Sequence, residues 1–206
     1  AKMTENTEFA WCTEIPDVHK EKDFEYKLDL QYVRSVWAAI QKLPKSERSP
    51  VENFIKQSLS QRNVAWVVRL KLYYKYTNEQ IKKRLLSISE NPTENDPIAG
   101  DAIKVLDLPV DSWADWKQSV YSDCLNPYLG SDDWTVDPRW LQQAMSKKNN
   151  ALALKTFRQY PFTANVLVTW FKMKQFELDC IRTAAEGLRL NVSSSEIKKI
   201  AGFEQL

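Results

Sequence analysis

Three stretches of the chain carry apolar residues at helical spacing rather than in alternation. From Leu28 to Leu43 the apolar positions Tyr32, Val33, Val36, Trp37 and Ile40 recur at intervals of three and four, and Pro44 ends the run. From Pro50 to Tyr74 the pattern predicts a helix about 37 Å long at 1.5 Å per residue. Its first half is amphipathic, with Phe54, Ile55 and Leu59 on one face and Lys56 and Gln57 outside it. Its second half holds Val64, Trp66, Val67, Val68, Leu70, Leu72 and Tyr73, apolar on nearly every side. That pattern predicts a helix buried from several directions. The third stretch runs from Thr163 to Leu190.

Local signals predict where helices begin. Ser49-Pro50-Val51-Glu52 reads as a capping box with proline at the first helical position. Thr77-Asn78-Glu79-Gln80 and Ser193-Ser194-Ser195-Glu196 repeat the capping pattern, and Asp137-Pro138 places a cap before another proline, opening a helix toward Lys147. Each long helix is thus followed by a capped short one, Thr77 to Leu86 and Ser193 to Ala201. The two units are offset by about 116 residues, taken from Ile81 to Ile197, as in a loose duplication. Between them, Asn91-Pro92, Asp96-Pro97 and Gly100 break helical pattern. The expected organisation is all-α with two packed helical lobes: residues 1–90, a linker and aromatic-rich connection over 91–136, and residues 137–206 packing with that connection.

Composition narrows the function. The chain has 206 residues, 43% hydrophobic and 27% charged, ordinary values for a folded globular protein. A net charge of +2 gives no reason to expect a nucleic-acid partner. Basic runs such as Ile81-Lys82-Lys83-Arg84 read as solvated helix faces. Cys12, Cys124 and Cys180 are odd in number and far apart, so a reducing compartment is expected rather than a disulfide framework. No apolar run approaches the roughly 20 residues a bilayer span requires. The start, Ala1-Lys2-Met3-Thr4-Glu5, lacks the apolar stretch of a signal peptide. Any membrane connection is expected to pass through a partner. Four glycines argue against glycine-rich phosphate loops, whereas eight tryptophans call for a core or interface rich in large aromatics. Trp113, Trp116, Tyr121, Tyr128, Trp134 and Trp140 read as packing rather than a ligand cage.

Catalytic patterns are weak. His19 is the single histidine, and a nucleophile–histidine pair would have to be built on it. There is no zinc spacing and no Gly-x-x-x-x-Gly-Lys-Ser/Thr phosphate loop. Asp132 and Asp133 are adjacent acids in an expected loop, more often solvated than metal-bound.

Two segments carry a family resemblance. The first is Asn63-Val64-Ala65-Trp66-Val67-Val68-Arg69-Leu70-Lys71, preceded by Leu28-Asp29-Leu30-Gln31-Tyr32. The second begins at Pro161-Phe162-Thr163 and continues through Glu177, Cys180-Ile181-Arg182, Gly187 and Ser193 to Ile197. Their order and spacing resemble the d/C family of V-type ATPase and archaeal-type ATP synthase central-stalk proteins, named d in eukaryotes and C in archaea and bacteria. Two departures stand out. Ser60 and Gln61 stand where the family often has an aspartate, and Cys180 stands where it has an asparagine. The resemblance implies a non-catalytic protein without cofactor or metal, on the cytoplasmic side of the membrane. It would join rotor axle subunits to the proteolipid ring. The family's three similar lobes surround a funnel, and two units are visible here, so the chain resembles a shortened or divergent member.

Five polar residues follow as candidates for an interface or an inter-lobe contact: Asn63, Arg69, Lys71, Glu177 and Arg182. Arg69 and Lys71 lie in an apolar helix half, where an unpaired buried charge is very unfavourable. Each must find a carboxylate, extend to the surface, or meet a partner. Arg182 has Asp179 and Glu186 within helical reach, so a local surface pair competes with an inter-lobe bridge. A helical adaptor with a peptide groove is the alternative reading, and an enzyme using carboxylates alone is a third.

Overall fold

A computed structural model describes residues 6–7, 9–12, 21–130 and 133–201, with 21–22 and 199–201 as backbone only. His19 and Asp132 lie outside the described residues. Among those described the chain is all-α, with no strand. The helices are α1 (Glu21–Gln41), α2 (Lys45–Tyr74), α3 (Asn78–Lys82), α4 (Gly100–Lys104), α5 (Trp113–Gln118), α6 (Pro138–Gln159), α7 (Asn165–Arg189) and α8 (Ser194–Ala201), with a 3-10 turn at Ser122–Cys124.

Three of the expected caps form. Thr77 and Gln80 make a reciprocal capping box at α3. Asp137 accepts the Arg139 and Trp140 N–H groups at α6. The Ser193 hydroxyl accepts the Glu196 N–H at 3.3 Å at α8. The fourth does not form. Helix α2 begins at Lys45, and Ser49-Pro50 lies inside it. Tertiary contacts hold the added turn. The Arg48 guanidinium donates to the Gln41 and Leu43 carbonyls at the end of α1, and Glu47 accepts the Ala164 N–H at 3.0 Å. Pro50 lies inside the helix with its ring buried, giving up one intrahelical hydrogen bond. Helix α6 also outruns its expected end at Lys147, continuing to Gln159.

The central element is α2, which packs against α1, α3, α4, α6 and α7. Its second half supplies Val64, Val67, Val68 and Leu70 to the largest apolar cluster, together with Ile81, Leu85, Ala102, Trp116, Leu141 and Met145. Burial is not uniform around that half: Trp66, Tyr73 and Tyr74 remain 39%, 56% and 51% exposed. A second cluster joins Val51, Phe54 and Ile55 of α2 to Ile40 of α1 and Ala153 of α6.

Residues 91–136 contribute Ile98, Ala99, Ala102, Val105, Trp116 and Trp134 to the interior. Asp96 makes this irregular stretch buriable. Its carboxylate accepts the N–H groups of Ile88, Ser89, Ile98 and Ala99 and the Ser89 hydroxyl, answering backbone groups that no helix satisfies. Gly100 is required there, because a Cβ would sit 2.2 Å from the Glu94 carbonyl oxygen. Among the aromatics, Trp113 stacks on Tyr128 at 5.2 Å and meets Trp134 edge-on at 5.1 Å.

Several single residues match at the offset expected from the sequence. Lys75 and Asn191 both adopt left-handed backbone just after the long helices. The pairs Thr77 and Ser193, Gln80 and Glu196, and Ile81 and Ile197 follow at the same separation. Helices α1–α2–α3 therefore correspond to α6–α7–α8. Ile81 and Ile197 are both buried where the short helix folds back. Gly187 admits Ile197, whose Cγ1 would lie 2.6 Å from a Cβ at that position.

Candidate functional site: a polar groove along the central helix

A groove of about 690 Å³ runs along α2, walled by α1, α6 and α7. Ser58, Arg62, Ala65 and Arg69 lie at intervals of three and four, so one stripe of α2 forms its floor. Helix α1 adds Asp29 and Tyr32, α6 adds Asn149, and α7 adds Lys172, Phe176 and Asp179. Trp66 and Tyr74 stand along it as partly exposed aromatics.

Unsatisfied polar atoms concentrate here. The Arg69 Nε, the Gln61 Oε1 and the Asn149 Oδ1 are buried without a hydrogen-bond partner among the described residues, and all three side chains line the groove. Buried polar groups are nearly always paired, and three of the five such unpaired atoms among the described residues belong to side chains of this groove, the other two being Arg48 Nε and Asn165 Oδ1. Arg62 is engaged with Asp29 at 2.6 Å. Among the described residues no carboxylate lies within ion-pair distance of Arg69 or Lys172. Burial pushes the Lys172 ammonium below its ordinary range, and the nearby Arg62 charge pushes it the same way.

The structure sorts the five candidates. Arg69 and Asn63 come together at the groove. Asn63 is a staple: its amide donates to the Leu86 carbonyl at 2.7 Å and the Ile98 carbonyl at 3.2 Å and accepts the Leu86 N–H at 3.0 Å. Lys71 points away, donating to the carbonyls of Leu106 and Leu108. Burial lowers its pKa, against the raising effect of Asp107. Glu177 and Arg182 lie on exposed α7, each in a pair three residues apart, with Lys174 at 2.7 Å and Asp179 at 3.7 Å. Sequence reasoning marked Gln61 only as a departure from the family pattern and missed Asn149 and Lys172. The one signal was an amide and a cation interrupting helical apolar pattern, which gives no clue to convergence.

No group of three or more His, Cys, Asp or Glu side chains capable of holding a metal gathers among the described residues. Burial pushes the thiols of Cys124 and Cys180 up, away from the reactive thiolate. No helix among the described residues is long and apolar enough to cross a membrane.

An uncharacterized protein of Treponema pallidum (strain Nichols) is 24% identical over 191 residues, covering 89% of this chain and 54% of that protein. The chain thus spans about half the length of the curated relative it matches. No solved structure matches it. The ATP synthase (C/AC39) subunit family matches residues 7–200, and with nearly the whole chain so covered, the protein belongs to this V-type ATP synthase subunit family.

Proposed function

We propose that the chain is a non-catalytic member of the central stalk of a rotary V-type ATPase, coupling the rotor axle to the membrane proteolipid ring during proton or sodium transport. The groove along α2 is the seat of the axle. The observation that carries this reading is the convergence of Arg69, Gln61, Asn149 and Lys172, unanswered among the described residues, on one groove of a family member. A folded axle end would supply carbonyl and carboxylate acceptors to the two cations, Arg69 and Lys172. Complementary polar contacts of this kind fix orientation more than they add affinity, which suits a torque joint. The helix beneath the groove is anchored in close-packed core, and such interiors deform little under load. Contact with the ring would be made on the cytoplasmic side.

Titration calorimetry of the chain against the folded cognate axle, and separately against short axle peptides, tests this. Binding of the folded axle and not of peptides is expected. Binding of peptides alone would overturn the reading in favour of a helical adaptor.

A further inference from the structure

The end of α1, the start of α2 and the turn from α6 to α7 meet at one end of the bundle. Arg48 donates to the Gln41 and Leu43 carbonyls, and Glu47 accepts the Ala164 N–H. Leu43, Val51, Ala153 and Ala164 share one apolar cluster beneath this surface. Lys42, Lys45, Lys155 and Arg158 are exposed around it. None of the four lies within ion-pair distance of a carboxylate among the described residues. The acids on the adjoining turns of α2 are engaged: Glu47 caps α7, and Glu52 accepts the Gln41 side-chain amide at 3.4 Å. With both acids and Arg48 counted, positive charge still prevails.

The sequence concentrates that charge. The chain has 27 acidic residues, yet none falls between Pro138 and Phe176, where seven Lys and Arg residues do. Among the described helices α6 is the one with no acid at all. The first acid of α7 is Glu177, about 18 Å along the helix from its start at 1.5 Å per residue. The acid-free stretch therefore folds back on itself at the α6–α7 turn. That turn also displays apolar side chains: Phe162 is 97% exposed, and Leu167 in the first turn of α7 is 73% exposed. Cations ringing bare apolar side chains match a surface that is anionic outside and apolar just beneath. An anionic bilayer answers both features at once and needs no preformed pocket: its phosphates meet the cations, and its acyl boundary takes the Phe162 ring.

We infer that this end of the bundle docks on an anionic phospholipid surface. Lys42, Lys45, Lys155 and Arg158 lie among the headgroups, and Phe162 and Leu167 reach the acyl boundary. The chain thereby adds a direct lipid contact to any membrane connection made through a partner. The inference goes beyond the axle reading and does not depend on it, because none of these six side chains lines the groove.

Co-sedimentation of the full chain with vesicles of phosphatidylcholine carrying about 30% phosphatidylserine, and with vesicles of phosphatidylcholine alone, tests this. Binding to the anionic vesicles only is expected, weakening as salt rises. The joint change Lys155→Gln and Arg158→Gln should weaken it about 25-fold, at about fivefold per cation, with the melting temperature unchanged. Phe162→Ala should weaken it about tenfold, again without loss of stability, since the ring is bare in the free chain. Lys82→Gln with Lys83→Gln removes the same charge beyond the opposite end of α2 and should leave binding as it was. No binding to anionic vesicles, or equal binding to neutral ones, overturns the inference and gives the basic end to an acidic protein. Equal losses from the two double variants would show a net-charge effect and overturn it too, and indifference to Phe162→Ala would overturn the insertion of the turn. Axle affinity, read on the same variants, stays at the wild-type value if the groove is the axle's seat, so the two readings fail separately.

Discussion

Asn63 and Asp96 show how single polar side chains hold an irregular segment against a helical core. Asn63 is 1% exposed and meets two carbonyls and one N–H of the chain around Leu86 and Ile98. Asn63→Ala is expected to cost about 2–3 kcal/mol in urea unfolding, since it strands three buried backbone groups. For Asp96, burial works against the carboxylate. The N–H groups of Ala99, Ser89 and Ile98 and the Ser89 hydroxyl outweigh it and hold its pKa below the ordinary range. A depressed folded value means stabilisation that is fully present above the unfolded pKa of about 3.9 and is lost as pH falls through the folded value. Asp96→Asn should therefore lower stability at neutral pH and flatten the acid limb of a stability profile below about pH 4. An acid limb identical to wild type would refute that assignment. In the sequence Asn63 is visible as an amide in an apolar helix, but its partners lie 23 and 35 residues away, beyond any local pattern.

Helix ends were legible where the cap is local and illegible where it is tertiary. Thr77, Asp137 and Ser193 each satisfy an N–H two or three residues on, a relation written in the sequence itself. The start of α2 is set instead by Arg48 reaching back to α1 and Glu47 reaching across to α7. Glu47 is an acidic cap supplied to one helix by another, favoured by the positive end of the α7 dipole. Glu47→Ala should destabilise the protein by about 1 kcal/mol and raise hydrogen exchange at the first turn of α7. Exchange unchanged there would show that the contact is not a cap. Residues 91–136 were the hardest element to read. Their prolines signal broken helix correctly, whereas Gly100 opens α4, and Ile98, Ala102 and Trp116 carry core packing that composition alone does not reveal.

At the scale of the whole molecule, α2 is the element against which α1, α3, α4, α6 and α7 pack. Periodicity exposed the long helices, and the order of motifs exposed the family. The groove was not legible, because its unpaired atoms come from α2 and α6, its half-buried cation comes from α7, and they meet only through packing. Arg69 gives the test of its purpose. Its Nε has no partner among the described residues, so Arg69→Ala should leave the melting temperature unchanged or slightly raised while weakening axle binding at least about tenfold. A large loss of stability would make Arg69 a structural residue.

The most direct test of the central claim is photo-crosslinking from the groove. A benzophenone side chain in place of Trp66, which lines the groove and is 39% exposed, would be activated in the assembled complex. The account predicts adducts with the axle from this position and none from the same group placed at Val120. Adducts with other proteins alone, in a complex that still contains the axle, would contradict the groove as its seat.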